Sequence, residues 1–363
     1  MADNDNFYQF RKLSLTLTSA CNLACKMCLI RRGPQGTLTR EHAFQVAEFA
    51  GRRGFKEIEI SGGEPTLVEH FWDLLDRLCD TGAEVRLVTN GTRLTEEHVR
   101  WLSGYPNLWI QVSIDGVGEL HDSIRGVRGA FDASEKALRA LADSGCRVAT
   151  NTVVQRSNFR HIVELYERFK SMPLMFHSFI LVESGGIVDS ELIPHENLEE
   201  FLGTMSEIMS RADRDGNDVV LSDELLEAYR RRIQYPYFLM HPGKGCTVVK
   251  RSLSVNHQGY VLPCWHYVWE TERIQRRLDQ RSIDEIVDSP EVRDEIRRVI
   301  GPSGCRGCST MCYNWDEDFC RKVMRPTRLL RLRRASLCSK EYLRMHHPAV
   351  FKATKSIKRL LRI

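Results

Sequence analysis

The chain has 363 residues, 42% of them hydrophobic. That is enough to bury one large domain and a smaller one without staples, and nothing in the composition marks disorder or a collagen-like repeat. The net charge of +4 hides an asymmetry: residues 321–363 carry 14 Lys/Arg against one acid, Glu341, whereas residues 1–320 carry 38 Lys/Arg against 47 Asp/Glu. The start, MADNDNFYQF, has neither the basic nor the apolar region of a signal peptide, and no window approaches the roughly 18 apolar residues of a membrane span. A cytoplasmic protein with reduced thiols is expected, in which the 12 cysteines serve as metal ligands, redox groups or buried thiols.

In chain order, short apolar runs predict strands at 13–18, 56–60, 84–89, 108–114, 147–154 and 175–182. Helical patterns lie between them at 40–52, 69–80, 95–104, 131–144 and 158–170. Strands alternating with helices predict an α/β protein, either an open parallel sheet or a partial (β/α)6 TIM-like barrel, over residues 10–190. A mainly helical connection follows over 191–240, then a smaller cysteine-rich domain over 241–340 and a basic tail over 341–363. In such folds the chemistry gathers in loops after the strands. Here those loops are SACNLACKMC, SGGEP, TNGT and SIDG, and Asn151 and Thr152 end the fifth strand.

The first of these loops places Cys21, Cys25 and Cys28 at a three-then-two spacing. Three thiolates hold three irons of a [4Fe–4S] cube and leave the fourth open to another ligand. The spacing alone also suits a zinc site with a distant fourth ligand. In SGGEP, Gly62 and Gly63 let backbone approach a ligand closely, and the carbonyls with Glu64 suit an ammonium group; a plain strand-to-helix turn started by Pro65 is the commoner use of such a sequence. Thr89, Asn90, Ser113 and Asp115 are each ordinary turn residues, but on successive strand ends they outline a pocket for a small polar ligand.

Taken together, Cys21-x3-Cys25-x2-Cys28, the Gly62-Gly63-Glu64-Pro65 run and the α/β repeat over about 10–185 resemble the radical S-adenosylmethionine (SAM) superfamily. The resemblance implies that SAM chelates the open iron through its amino and carboxylate groups. Reductive cleavage then yields methionine and a 5′-deoxyadenosyl radical that abstracts a substrate hydrogen. By position it assigns Gly62, Gly63 and Glu64 to the SAM amino group, Ser113 and Arg125 to the methionine moiety, and Asn90 to the cofactor site. It also implies an external reductant such as flavodoxin or ferredoxin. Met27 departs from the aromatic that relatives usually carry before the third cysteine, yet its thioether can still pack on adenine.

A second set of thiols comprises Cys246, Cys264, Cys305, Cys308, Cys312, Cys320 and Cys338. Structural zinc suits CRGCSTMC, though seven thiols fit clusters better than one zinc. The set resembles the SPASM extension of radical SAM enzymes, which carries one or two auxiliary [4Fe–4S] clusters. That resemblance groups Cys246, Cys264 and Cys320 in one cluster and Cys305, Cys308, Cys312 and Cys338 in another. The match is incomplete: the two gaps after Cys308 are three and seven residues where the family has five and three, and an eighth thiol is missing. His266, Asp316 and Asp318 are candidates for the missing ligand. Trp265-His266 stands where sulfatase-maturing members carry an acidic base, so that activity is not expected.

In the tail, residues 350–363 place Val350, Ala353, Ile357, Leu360 and Leu361 on one side of a helix and five basic residues opposite. Docking on the acidic body is favoured over peripheral contact with an anionic membrane, and no nucleic acid is expected. The expected function is a SPASM-type radical SAM oxidoreductase acting on a peptide or other natural-product intermediate. Alternatives are a carbohydrate, aminocyclitol or membrane-lipid substrate, or, in another class, a non-catalytic iron–sulfur electron carrier or zinc-stabilised binding protein. The short segment before the first strand weighs against a leader-dependent peptide maturase.

Overall fold

The computed structural model describes residues 7–182, 189–234, 248–262 and 276–300. The first two-thirds of the chain alternate strand and helix: β1 (Lys12–Thr16), α1 (Arg40–Arg53), β2 (Glu57–Ser61), α2 (Phe71–Asp80), β3 (Glu84–Thr89), α3 (Glu96–Leu102), β4 (Leu108–Ser113), α4 (Glu119–Arg125), α5 (Ala130–Asp143), β5 (Arg147–Val154), α6 (Ile162–Phe169) and β6 (His177–Leu181). The six predicted strands are all present, with ends shifted by no more than two residues. Local chemistry fixes the ends of helices. Thr39 accepts from the His42 amide to open α1, and Gly54, left-handed at φ 66°, closes it.

After β6 come α7 (Leu198–Asp215), β7 (Val219–Val220), α8 (Asp223–Gln234), β8 (Ser252–Val255), β9 (Val261–Leu262), α9 (Ile283–Val287) and α10 (Pro290–Ile300). All nine strands form one sheet in the order β7-β6-β5-β4-β3-β2-β1-β8-β9. Every pairing is parallel except β8 with β9. The architecture is thus the open, TIM-like α/β barrel expected. One feature was not legible in the pattern: β8, in the stretch expected to form the cysteine-rich domain, extends the barrel by pairing with β1, Ser14 opposite Ser254.

The two faces of this sheet differ because side chains alternate along each strand. Leu13, Leu15, Ile58, Ile60, Val85, Leu87, Ile110 and Val112 point outward into one core with Ala43, Val46 and Phe49 of α1, Leu74 and Leu78 of α2, and Leu138 and Leu141 of α5. Ile283, Ile286 and Val287 of α9 belong to the same core. A second core packs α6, α7 and α8 against β5 and β6, and the buried Tyr229 hydroxyl donates to Phe179 O at 2.8 Å.

The inner face is polar. At the N-terminal end of the strands Lys12 pairs with Glu59 at 2.9 Å, Arg86 also bonds Glu59, and Arg147 pairs with Glu84 at 2.8 Å. Higher up the same face carries Ser14, Thr16, Gln111, Ser113 and Asn151, leading to the loops that follow the strands.

Candidate active site

Cys21, Cys25 and Cys28 occupy the loop after β1 as free, half-buried thiols. The loop is held from three directions by main-chain bonds. On one flank Ser19 N donates to Gly36 O at 2.9 Å. Across β2, Gly63 N donates to Thr18 O at 2.6 Å and Glu64 N to Ala20 O at 2.8 Å. From the far side, Ala24 N and Lys26 N donate to Arg125 O and Ile124 O at 2.8 and 3.2 Å. The thiol loop therefore caps carbonyls at the C-terminal end of α4, a helix absent from the sequence-based expectation.

The glycines of the β2 loop have a definite steric reason. Gly62 has φ 152°, and a Cβ on it would lie 2.5 Å from Thr18 O. A Cβ on Gly63 would lie 2.1 Å from Ala20 O. Only bare backbone fits between the two loops.

Glu64 is fully buried, and its carboxylate is occupied by protein donors. Oε1 accepts from Thr89 Oγ1 at 2.8 Å, Thr66 Oγ1 at 2.7 Å and Thr66 N at 3.3 Å, and Oε2 accepts from Asn90 N at 2.8 Å. Burial pushes this carboxyl up and the donors oppose it. The side chain ties the β2 loop to the β3 loop, a use that the sequence reading does not contain.

Asn90 is buried beside the thiols, with Nδ2 3.8 Å from Cys21 Sγ. Arg125 is likewise buried; it pairs through Nη2 with Asp115 Oδ2 at 2.8 Å and points Nη1 at Cys25 Sγ, 3.7 Å away. Its Nε has no hydrogen-bond partner among the described residues. Asp115 anchors the arrangement: Oδ1 accepts from Val153 N at 2.9 Å, its carbonyl accepts from Asn158 Nδ2 at 2.9 Å, and its amide donates to His121 Nδ1 at 3.0 Å. Burial raises the Asp115 carboxyl and the Arg125 guanidinium opposes it. Burial likewise pushes up the Cys21 and Cys25 thiols, opposed at Cys25 by Arg125. Burial holds His121 neutral, its pKa lowered to about 3.

Ser113 is half-buried at the end of β4 and stands opposite Asn151, whose Oδ1 is buried without a hydrogen-bond partner among the described residues. Of the expected site residues the structure thus gathers Cys21, Asn90, Thr89 and Glu64 in one bonded network and Cys25, Arg125 and Asp115 in a second on the same loop, with Gly62 and Gly63 packed against that loop. Asn22, which the sequence does not single out, joins the first through Asn90. Cys246, Cys264, Cys305, Cys308, Cys312, Cys320 and Cys338, with His266 and the basic tail, lie outside the described residues.

This donor set fits an iron–sulfur cube better than a single ion. Among the described residues no three His, Cys, Asp or Glu side chains converge on one metal position, as zinc requires, whereas a cube takes its thiolates at separate corners. The partnerless Arg125 Nε and Asn151 Oδ1 are a donor and an acceptor left over for a polar ligand beside it.

Comparison with known proteins agrees. Residues 15–169 match the radical SAM superfamily and residues 246–309 match an iron–sulfur cluster-binding domain, SPASM. The AdoMet-dependent heme synthase of Methanosarcina barkeri is 30% identical over 341 residues, 85% of this chain and 94% of that one. The mycofactocin maturase MftC of Mycobacterium tuberculosis is 35% identical over 156 residues, 42% of this chain and 40% of its own. Among solved structures, Streptococcus suis SuiB bound to S-adenosylmethionine superposes with a TM-score of 0.65 at 17% identity, covering 82% of this chain and 73% of SuiB. The chain belongs to the radical SAM superfamily and is a SPASM-type enzyme whose cofactors are SAM, a [4Fe–4S] cluster and auxiliary iron–sulfur binding.

Proposed function

We propose that this enzyme abstracts a hydrogen atom from a peptide or comparable natural-product intermediate, with Cys21, Cys25 and Cys28 holding the SAM-binding cluster. The observation that supports this reading best is the docking of the three-thiol loop between bare glycine backbone and the buried Asp115–Arg125 pair. When bound, the cluster and SAM supply one-electron cleavage of the sulfonium and a 5′-deoxyadenosyl radical. The chain's own residues bind and orient. The main chain of Gly62 and Gly63 would lie against the SAM amino group. Arg125 and Ser113 would hold the methionine carboxylate, and the contacts of Glu64 and Asn90 fix the loops around them. Cys246, Cys264, Cys305, Cys308, Cys312, Cys320 and Cys338 supply the auxiliary ligands, and a flavodoxin or ferredoxin supplies the electron.

The maturase named among the relatives supports the peptide class. A second reading, a tetrapyrrole substrate, is supported by the match along 94% of a heme synthase. Among the described residues no helix is long and apolar enough to cross a membrane.

The test is an anaerobic reconstitution of wild type and of the Cys21/Cys25/Cys28→Ala variant. The variant should lose about four irons and all dithionite-driven 5′-deoxyadenosine, and keep its remaining iron. A variant that still cleaves SAM would refute the assignment. Substrate class is read from which additive, precursor peptides or carboxylated metalloporphyrins, raises 5′-deoxyadenosine above the uncoupled rate. Stimulation by porphyrin alone would replace the peptide reading.

A further inference from the structure

Among the described residues, two of the three thiols receive side-chain donors and the third receives none. Asn90 Nδ2 lies 3.8 Å from Cys21 Sγ and Arg125 Nη1 3.7 Å from Cys25 Sγ, while among the described residues no side-chain donor reaches Cys28. Cys21 Sγ also accepts from Leu23 N at 3.4 Å.

The orientation of Asn90 is set by its surroundings. Its Oδ1 accepts from Thr92 N at 2.9 Å and from Thr92 Oγ1 at 2.7 Å, and its Nδ2 donates to Asn22 Oδ1 at 3.0 Å. Asn22 Nδ2 donates in turn to Thr92 Oγ1 at 2.7 Å, closing a ring of three side chains. With the oxygen engaged by Thr92, the N–H group is the one that faces sulfur. Ser134 Oγ donates to Asn90 O at 2.7 Å and Glu64 accepts from its amide, so the backbone is held as well. Arg125 is fixed by Asp115, which cancels its formal charge and leaves a directed N–H at Cys25.

We propose that Asn90 and Arg125 are positioning residues that set the electron affinity of the SAM-binding cluster through N–H···S contacts to Cys21 and Cys25. This rests on the reading that these thiols hold that cluster. Reduction adds negative charge that thiolate sulfurs share, so a dipole aimed at sulfur stabilises the reduced form more than the oxidised one and raises the potential.

The test uses the full chain, reconstituted anaerobically, in a redox titration without SAM that follows the paramagnetic signal which later responds to added SAM. Asn90→Leu and Arg125→Met should each lower the reduced-to-oxidised ratio at fixed potential by roughly tenfold, about 59 mV for a one-electron couple. Thr92→Val, which opens the ring without touching a thiol, should move the ratio the same way by less. Unchanged midpoints with full iron would overturn the proposal and leave the cluster assignment standing. So would weakened SAM binding at an unmoved midpoint, which would make both residues SAM ligands only. If Asn90→Leu and Arg125→Met lose iron, an unmoved midpoint in Thr92→Val overturns it. Persistence of the SAM-responsive signal in the Cys21/Cys25/Cys28→Ala variant would instead refute the underlying assignment.

Discussion

A single methyl group at Gly63 tests how the thiol loop is held. Its Cβ would stand 2.1 Å from Ala20 O, 2.6 Å from Ala20 C and 2.8 Å from Ser19 O, all main-chain atoms that cannot rotate away. The β2 loop must retreat, and with it go the bonds Gly63 N→Thr18 O and Glu64 N→Ala20 O. Two bonds at a net of about 1 kcal/mol each, with about 1–3 kcal/mol of overpacking, put Gly63→Ala at roughly 3–5 kcal/mol. Gly82→Ala is the control: Gly82 has φ 76° but nothing within 4 Å of its Cβ position, so only left-handed backbone strain of about 1–2 kcal/mol applies. Urea unfolding of the apoprotein measures both, and iron content after reconstitution reports whether the three thiols keep their spacing. Gly63→Ala is expected to be the more destabilising, by at least about 1 kcal/mol, and to lose about four irons, with Gly82→Ala retaining them. If the two variants unfold alike and both hold iron, the close packing of the loops does not position the thiols.

Other perturbations separate buried from exposed electrostatics. Asp115→Asn leaves the Arg125 guanidinium buried without its anion and should cost about 3–5 kcal/mol; in denaturant titrations the Asp115→Asn/Arg125→Met double variant should regain part of that loss, and strict additivity would refute the coupling. Glu135→Gln removes the partner of Arg139 and Arg168, both about half exposed although the carboxylate between them is buried, and should cost less than Asp115→Asn, with part of the loss screened by added salt. Stability should also fall with acid. Buried neutral His121 and His177 titrate at about 3 and about 4 in the native state, whereas the unfolded chain takes up protons near pH 6.5. Their contribution is complete above pH 6.5 and declines toward pH 4 by up to about 1.4 kcal/mol per pH unit each. His177→Gln should flatten that decline in urea midpoints measured between pH 7 and pH 5, and an unchanged slope would show that His177 does not carry it.

The repeating α/β order and the positions of the loops that matter are legible along the chain. Alternation of Leu13, Leu15, Ile58, Ile60, Val85 and Leu87 with polar neighbours is local information, written at a period of two, and it names both the strand and its buried face. The spacing of Cys21, Cys25 and Cys28 and the bare run Gly62-Gly63 are equally visible in the chain, although the reason for the glycines, the Thr18 and Ala20 carbonyls packed against them, is tertiary. Tertiary structure decided what those residues face. That Glu64 spends its carboxylate on Thr66, Thr89 and Asn90, that Arg125 reaches Cys25 across 100 residues from the clasp of Asp115, and that β8 pairs with β1 after some 240 residues are all consequences of long-range placement. No local pattern signals them. A buried carboxylate or guanidinium is tolerated only where distant partners satisfy most of the donors and acceptors it brings inside, and those partners are fixed by the packing of the whole barrel.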